Sequence, residues 1–180
     1  ATPPPRAALL PHIWLSDEES RQGQRLLEQL PDKAGTPPIA LHPYATHPDK
    51  AWKEAYWRQL VELFESRGIP WIVIGRGSGM EGIPASRNFT NRTSLRETCA
   101  LLKSSSLLIT GDSGPMHLAG AVGTPVLALF GPTTEEWGFF PAGPKDRVLE
   151  SQLDCRPCTL HGKKHCDRNH ACMQSITPEQ

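Results

Sequence analysis

The sequence predicts an α/β fold built on a doubly wound parallel sheet, and three observations carry the prediction. Four short runs are predominantly apolar: IALH (39–42), PWIVIG (70–75), SLLITG (106–111) and TPVLALFG (124–131). A strand without a polar face is one covered on both sides, as in parallel sheets with helices above and below. Segments with helical spacing separate these runs, and that alternation is the order of βαβ units. The third observation is the punctuation of the helices, taken next in chain order.

Residues 1–15, ATPPPRAALLPHIWL, lack an initiator methionine and break their apolar stretch with proline, so they read as an extended arm rather than a secretory signal. SDEESRQGQRLLEQL (16–30) opens on Ser16 with Glu19 three residues later, a capping box, and its acids lie in the first turn where the helix dipole favours them. This helix ends before Pro31, and PDKAGTPP (31–38) is a linker by its proline and glycine content. KEAYWRQLVELFESRG (53–68) places Tyr56, Leu60, Leu63 and Phe64 on one helical face, with Gly68 as a C-terminal cap. SLRETCALLKSS (94–105) repeats the capping box with Ser94 and Glu97, and carries Cys99 as a small core residue. SGPMHLAGAVG (113–123) is a short helix joining the third strand to the fourth. Beyond residue 132 the rhythm lapses into proline, glycine and cysteine, until Thr177-Pro178-Glu179, which has the composition of a helix start. A stop just after that signal, with the absent methionine, suggests a piece of a longer polypeptide. The expected organisation is an arm, helix and linker over 1–38, an α/β domain over 39–150, and a cysteine-rich tail of that domain over 151–180.

Lysine plus arginine balance aspartate plus glutamate at 19 each, so no overall field directs the chain to nucleic acid or anionic lipid. No apolar run reaches the roughly 18 residues of a membrane-spanning helix. Chemistry must therefore be sought in a motif, and ITGDSGPMHLAG (109–120) is the first candidate. Its Gly-Asp-Ser-Gly-Pro core is one glycine short of the sequence around a trypsin-like nucleophile. That nucleophile belongs in an all-β double barrel, whereas this motif joins an apolar strand to a helix. The G-x-S-x-G elbow needs glycine two residues to either side, and Ser113 has Gly111 before it but Pro115 after it. His117 follows four residues on along the same helix, poorly placed to take a proton from Ser113.

Anion binding suits the motif better. Asp112 is a good N-cap, and Pro115 fits a first turn whose amides are unpaired anyway. Ser113 and Gly114 then present backbone N–H groups at the positive end of a helix, outside the carboxyl end of a parallel strand. Gly114 has no β-carbon to hold a phosphate away. A helix terminus contributes about 0.3–1 kcal/mol toward an anion, and about 2 when partly buried, so it needs cationic help. The exit of the first strand, LHPYATHPDKAWK (41–53), offers Thr46 and Lys50, each charged hydrogen bond adding roughly 1.5–3 kcal/mol. From spacing alone a solvated lysine is the favoured reading of Lys50.

HPYATHPDKAW, the helix RTSLRETCALL, and ITGDSGPMHLAGAVGTPVLALFGPTTEEWGFFP together resemble the carboxyl-terminal, donor-binding domain of the ADP-heptose:lipopolysaccharide heptosyltransferases, glycosyltransferase family 9. The likeness runs over about residues 13–180. It implies a Rossmann-like sheet as the C-terminal half of a GT-B enzyme, with the nucleotide-sugar held between two such domains. It implies transfer of heptose from ADP-heptose to the lipopolysaccharide inner core, in the cytoplasm at the inner face of the inner membrane, without a catalytic metal or other cofactor. By the resemblance Asp112, Ser113 and Gly114 contact donor diphosphate and sugar, and Thr46 and Lys50 hold phosphate. Ala45-Thr46 stands where relatives can carry two hydroxyl residues, so one contact is missing. Thr93, Ser94 and Leu95 would lie against the adenine, largely through backbone atoms. Glu81 is the acidic candidate for the ribose, and His117 would sit near the donor pocket. The catalytic base and the acceptor site belong to an amino-terminal domain not among these residues, so the chain alone is expected to bind donor and transfer nothing. The alternatives are a non-catalytic nucleotide-sugar binding module, and an α/β scaffold for an interaction surface formed by the tail.

Cys155-x2-Cys158-x7-Cys166-x5-Cys172 has enough thiols for a tetrahedral zinc site, with His161, His165 and His170 as spare ligands. Only the first pair has the usual knuckle spacing. Structural zinc, two disulfides, and reduced cysteines packing a loop all remain open. The cytoplasmic setting that the resemblance implies disfavours lasting disulfides.

Overall fold

The computed structural model describes residues 10–31, 35–158 and 166–180. Five parallel strands form one sheet: β1 (Ile39–His42), β2 (Trp71–Val73), β3 (Leu107–Gly111), β4 (Val126–Phe130) and β5 (Arg147–Glu150), in the spatial order β2-β1-β3-β4-β5. The first four are the apolar runs of the sequence. β5 was not expected, because Arg147-Val148-Leu149-Glu150 is short and charged at both ends, as suits an edge strand that pairs on one side only. The other edge, β2, is covered: Val73 donates its N–H to the Arg87 carbonyl and accepts from Phe89 N–H, at 2.8 Å each.

Five α-helices accompany the strands: α1 (Asp17–Leu27), α2 (Glu54–Ser66), α3 (Leu95–Lys103), α4 (Gly114–Val122) and α5 (Ala171–Gln174). The alternation of side chains along each strand divides the core into two layers. On one face Leu41, Val73, Ile109 and Leu129 pack against Trp57, Leu60 and Phe64 of α2 and against Cys172, Met173 and Ile176. On the other face Ala40, Ile72, Leu108 and Ala128 pack against Leu101 and Leu102 of α3 and Met116 and Ala119 of α4. Both faces are covered, as continuous apolar strands require. The buried face of α2 centres on Trp57, Leu60 and Phe64, with Tyr56 beside it and Leu63 only half-buried, a small rotation from the face expected.

Both predicted capping boxes form. Ser16 and Glu19 close the start of α1, and Ser94 and Glu97 close that of α3. Gly68 turns the chain out of α2 at φ 63°. Cys99 is buried in α3, and burial pushes its thiol up. α1 lies along α3, tied by Arg96, whose Nε donates to Glu19 Oε1 at 2.7 Å. The tail belongs to the core: Trp52 donates Nε1–H to the Ile176 carbonyl at 2.8 Å, and Arg156 holds the carbonyl of Thr133 at 2.9 Å. Thr177-Pro178-Glu179 forms a turn rather than a helix start.

The strand order places a switch point at β1 and β3. The chain leaves β1 toward α2 on one face and leaves β3 toward α4 on the other, so the two exits diverge and open a crevice at the carboxyl edge.

Candidate functional site

That crevice is a cavity of about 400 Å³, lined by His42, Tyr44, Ala45 and Thr46 from the exit of β1, Gly75 and Arg76 beyond β2, Thr93, Leu95 and Thr98 at the start of α3, and Ser113, Gly114, Pro115 and Leu118 at the start of α4. Its size suits a small ligand. Four elements distant in sequence meet here because parallel strands all deliver their following loops to the same edge.

The start of α4 differs from the one expected. Ser113, not Asp112, is the N-cap residue, and no side chain caps the helix. Asp112 is drawn away: its Oδ2 accepts from Lys50 Nζ at 2.5 Å and from Thr133 Oγ1 at 2.9 Å. This ion pair is largely buried, with side chains 14% and 9% exposed. The Ser113 hydroxyl is drawn away too, lying 3.2 Å from His42 Nδ1 and 2.9 Å from Thr110 Oγ1. With neither side chain capping α4, Met116 N–H bonds the Ser113 carbonyl at 3.2 Å and Pro115 has no N–H, so the Gly114 amide is the first-turn donor at the cavity lining. A β-carbon on Gly114 would meet no atom within 4 Å, so the approach to the backbone is open.

Of the residues expected in the site, Thr46, Ser113, Gly114, Thr93 and Leu95 line the one cavity. Leu95 is 70% exposed, an apolar side chain presented beside Thr93. Lys50 and Asp112 pair with each other and are not among the lining residues. Ser94 spends its hydroxyl on the capping box, accepting from Glu97 N–H at 3.2 Å. His117 is exposed on α4 and outside the lining. Glu81 does not line the cavity: its side chain is 79% exposed and stands 3.8 Å from Arg58 Nη2, with the Glu81 carbonyl also held by Arg58 at 3.0 Å. Three groups went unnoticed in the sequence. Thr133 follows β4 in the Gly131-Pro132-Thr133 turn, Arg76 brings an exposed guanidinium to the lining, and His42 forms part of the floor. An HPY exit from a strand was the available signal for His42.

Cys155, Cys158, Cys166 and Cys172 line a second cavity, of about 140 Å³, with His170 and Asp49. All are free thiols, so neither of the two disulfides forms. Cys158 Sγ donates to the Cys155 carbonyl at 2.8 Å, and Cys166 Sγ accepts from His170 N–H at 3.2 Å. Burial, then the neighbouring cysteines, push the Cys158 thiol up. Among the described residues no three ligand side chains converge as a metal site. His161 and His165 lie outside the described residues, and His170 instead places Nε2 2.8 Å from Asp49 Oδ1.

A doubly wound sheet with a crevice at its switch point and an uncapped helix start in the crevice has the form of an α/β domain for a phosphorylated ligand. The comparison with known proteins sharpens that class. The chain belongs to glycosyltransferase family 9 (heptosyltransferase), whose family model it matches over residues 10–167. It is 35% identical over 153 residues to lipopolysaccharide heptosyltransferase 1 of Pseudomonas aeruginosa, covering 77% of this chain and 40% of that protein. The structure of E. coli ADP-heptose lps heptosyltransferase II superposes with a TM-score of 0.73 at 22% identity, covering 99% of this chain and 52% of that one. The iron-containing dodecameric glycosyltransferase TibC of enterotoxigenic E. coli superposes at 0.65 with 24% identity, covering 83% and 44%. The chain thus spans about half or less of these relatives' length. Among the described residues no helix is long and apolar enough to cross a membrane.

Proposed function

We propose that these residues are the donor-binding half of a heptosyltransferase, and that the crevice between β1 and β3 holds ADP-heptose for transfer to the lipopolysaccharide inner core. One observation carries the reading: Thr46, Ser113 and Gly114 share a single cavity with Thr93 and Leu95, giving a phosphate end and a nucleoside end side by side. The diphosphate lies against the Ser113 and Gly114 amides and the Thr46 hydroxyl. Lys50, one turn beyond Thr46, divides its ammonium between Asp112 and the phosphate, so the charge on the donor is met by the chain's own cation and helix dipole rather than by a metal ion. Leu95 and Thr93 take the adenine face, and Arg76 closes that end. Asp112 holds Lys50 in reach and is adjacent to the transferred sugar.

Acceptor recognition and the catalytic base belong to the remaining half of the relatives' length, and the 180 residues alone bind donor weakly and transfer no heptose. The working site is the cytoplasmic face of the inner membrane, where the acceptor is built. The domain organisation follows: 1–38 as arm and connecting helix, 39–150 as donor domain, and 151–180 as a tail that braces the loop after β4.

Calorimetry with ADP and ADP-heptose tests this reading. Saturable binding of one ligand per chain is expected, weakened by Lys50→Ala at least tenfold, the equivalent of about 1.5 kcal/mol for a charged hydrogen bond. Absence of any heat with millimolar ADP would overturn it, and rapid heptose transfer by the chain alone would overturn the division of labour.

A further inference from the structure

His42 is the one cavity-lining side chain that is both buried and incompletely partnered. It closes β1, is 6% exposed, and registers directly against Thr110 of β3. Its Nδ1 lies 3.1 Å from Thr110 Oγ1 and 3.2 Å from Ser113 Oγ, and those hydroxyls lie 2.9 Å from each other. One edge of the ring is thereby fixed. The other edge, Nε2, has no hydrogen-bond partner among the described residues. It faces Gly75, where φ is 120° and a β-carbon would strike His42 Cδ2 at 2.5 Å and Nε2 at 2.8 Å. With no β-carbon on Gly75 the ring packs directly against that backbone, and both residues line the cavity.

Nε2 is not among the fully buried unpartnered atoms of the described residues, so at the lining of this cavity it is accessible and free to bond a ligand group in place of solvent. Burial holds the imidazole's pKa down to about 4. The ring is therefore neutral at physiological pH and brings no charge for a phosphate. A neutral imidazole offers either a donor or an acceptor at Nε2, depending on which nitrogen holds the proton. A hydroxyl, which both donates and accepts, matches either tautomer.

We infer that His42 is a specificity-determining residue of this site, its Nε2 reading a sugar hydroxyl of the bound nucleotide-sugar while Thr110 and Ser113 hold the ring in place. The inference rests on the donor-binding reading above and adds a contact that reading does not contain. The hydroxyl comes either from the ribose or from the transferred sugar, and the same geometry serves both.

Affinities of ADP, 2′,3′-dideoxy-ADP and ADP-heptose for the wild-type chain and for His42→Phe and His42→Gln separate the cases. A neutral hydrogen bond corresponds to a preference of roughly two- to tenfold. If His42 reads the ribose, the preference for ADP over dideoxy-ADP collapses in His42→Phe and is partly restored in His42→Gln. If it reads the transferred sugar, the preference for ADP-heptose over ADP collapses instead. Both ratios unchanged in a folded His42→Phe protein, with ADP still bound, would overturn the inference and leave the donor site standing. Failure of the wild type to bind ADP at all would remove the donor site itself. Should the variants not fold, histidine ¹⁵N resonances of the wild type suffice: ADP or ADP-heptose must shift Nε2 of His42, and no shift at saturation with both refutes the contact.

Discussion

The starts of α3 and α4 border the same crevice and are built in opposite ways. α3 closes itself: Ser94 Oγ accepts from Glu97 N–H, and Glu97 Oε2 accepts from Ser94 N–H at 2.8 Å, all within four residues. At α4 every candidate cap is engaged elsewhere, Asp112 by Lys50 and Thr133, Ser113 by His42 and Thr110. The first arrangement satisfies orphan amides for stability, and the second leaves the start of α4 without a side-chain cap, which is what the proposed donor site requires.

The largest expected effect breaks the diversion at Asp112. Lys50→Ala strands a carboxylate that is 9% exposed with Thr133 as its remaining partner, and should cost about 3–5 kcal/mol in urea denaturation. Lys50→Met combined with Asp112→Leu should recover most of that loss while leaving ADP binding impaired. A single substitution with negligible cost would mean that the pair is not a buried one.

The His42 beside Ser113 is held neutral by burial, which gives a pH signature. The folded pKa of about 4 lies below the ordinary 6.5, so between these values the unfolded chain binds a proton that the native chain refuses. The stabilisation is complete above pH 6.5 and is lost as pH falls toward 4, about 3 kcal/mol in all. Unfolding free energies of wild type and His42→Gln, compared from pH 7 to 5 before the carboxylates titrate, should converge as the pH drops. Parallel curves would show that the imidazole is not held neutral.

The smallest effects sharpen the contrast between the two starts. Glu97→Ala opens the capping box of α3 and should cost about 1 kcal/mol of stability with no change in ADP affinity. Ser113→Ala should do the reverse in emphasis, weakening ADP binding by about 0.5–1.5 kcal/mol in calorimetry. If both variants lower ADP affinity equally, the distinction between a structural and a functional start fails.

The features legible in the sequence are those whose causes lie close together along the chain. Apolar runs gave β1 to β4, and residues three apart gave both capping boxes. β5 was hidden because Arg147 and Glu150 have no apolar signal, and a strand at an edge takes its definition from pairing with β4. Thr46, Ser113 and Gly114 were legible as one group, which the structure brings to a single cavity, since strand exits and helix starts are local patterns. The Lys50–Asp112 pair joins residues 62 apart, and the His42–Ser113 contact joins residues 71 apart, so no local pattern announces either.

By itself the sequence determined the α/β class, the approximate extents of α1 to α4, the motif Asp112-Ser113-Gly114 and the family likeness, because periodicity, capping and turn chemistry act over a few residues. Only the tertiary structure decided that no side chain caps α4, where Glu81 and His117 stand, and that His42 lines the crevice. Those outcomes depend on which strand lies beside which, and on burial that makes a lysine choose one carboxylate and keeps an imidazole neutral.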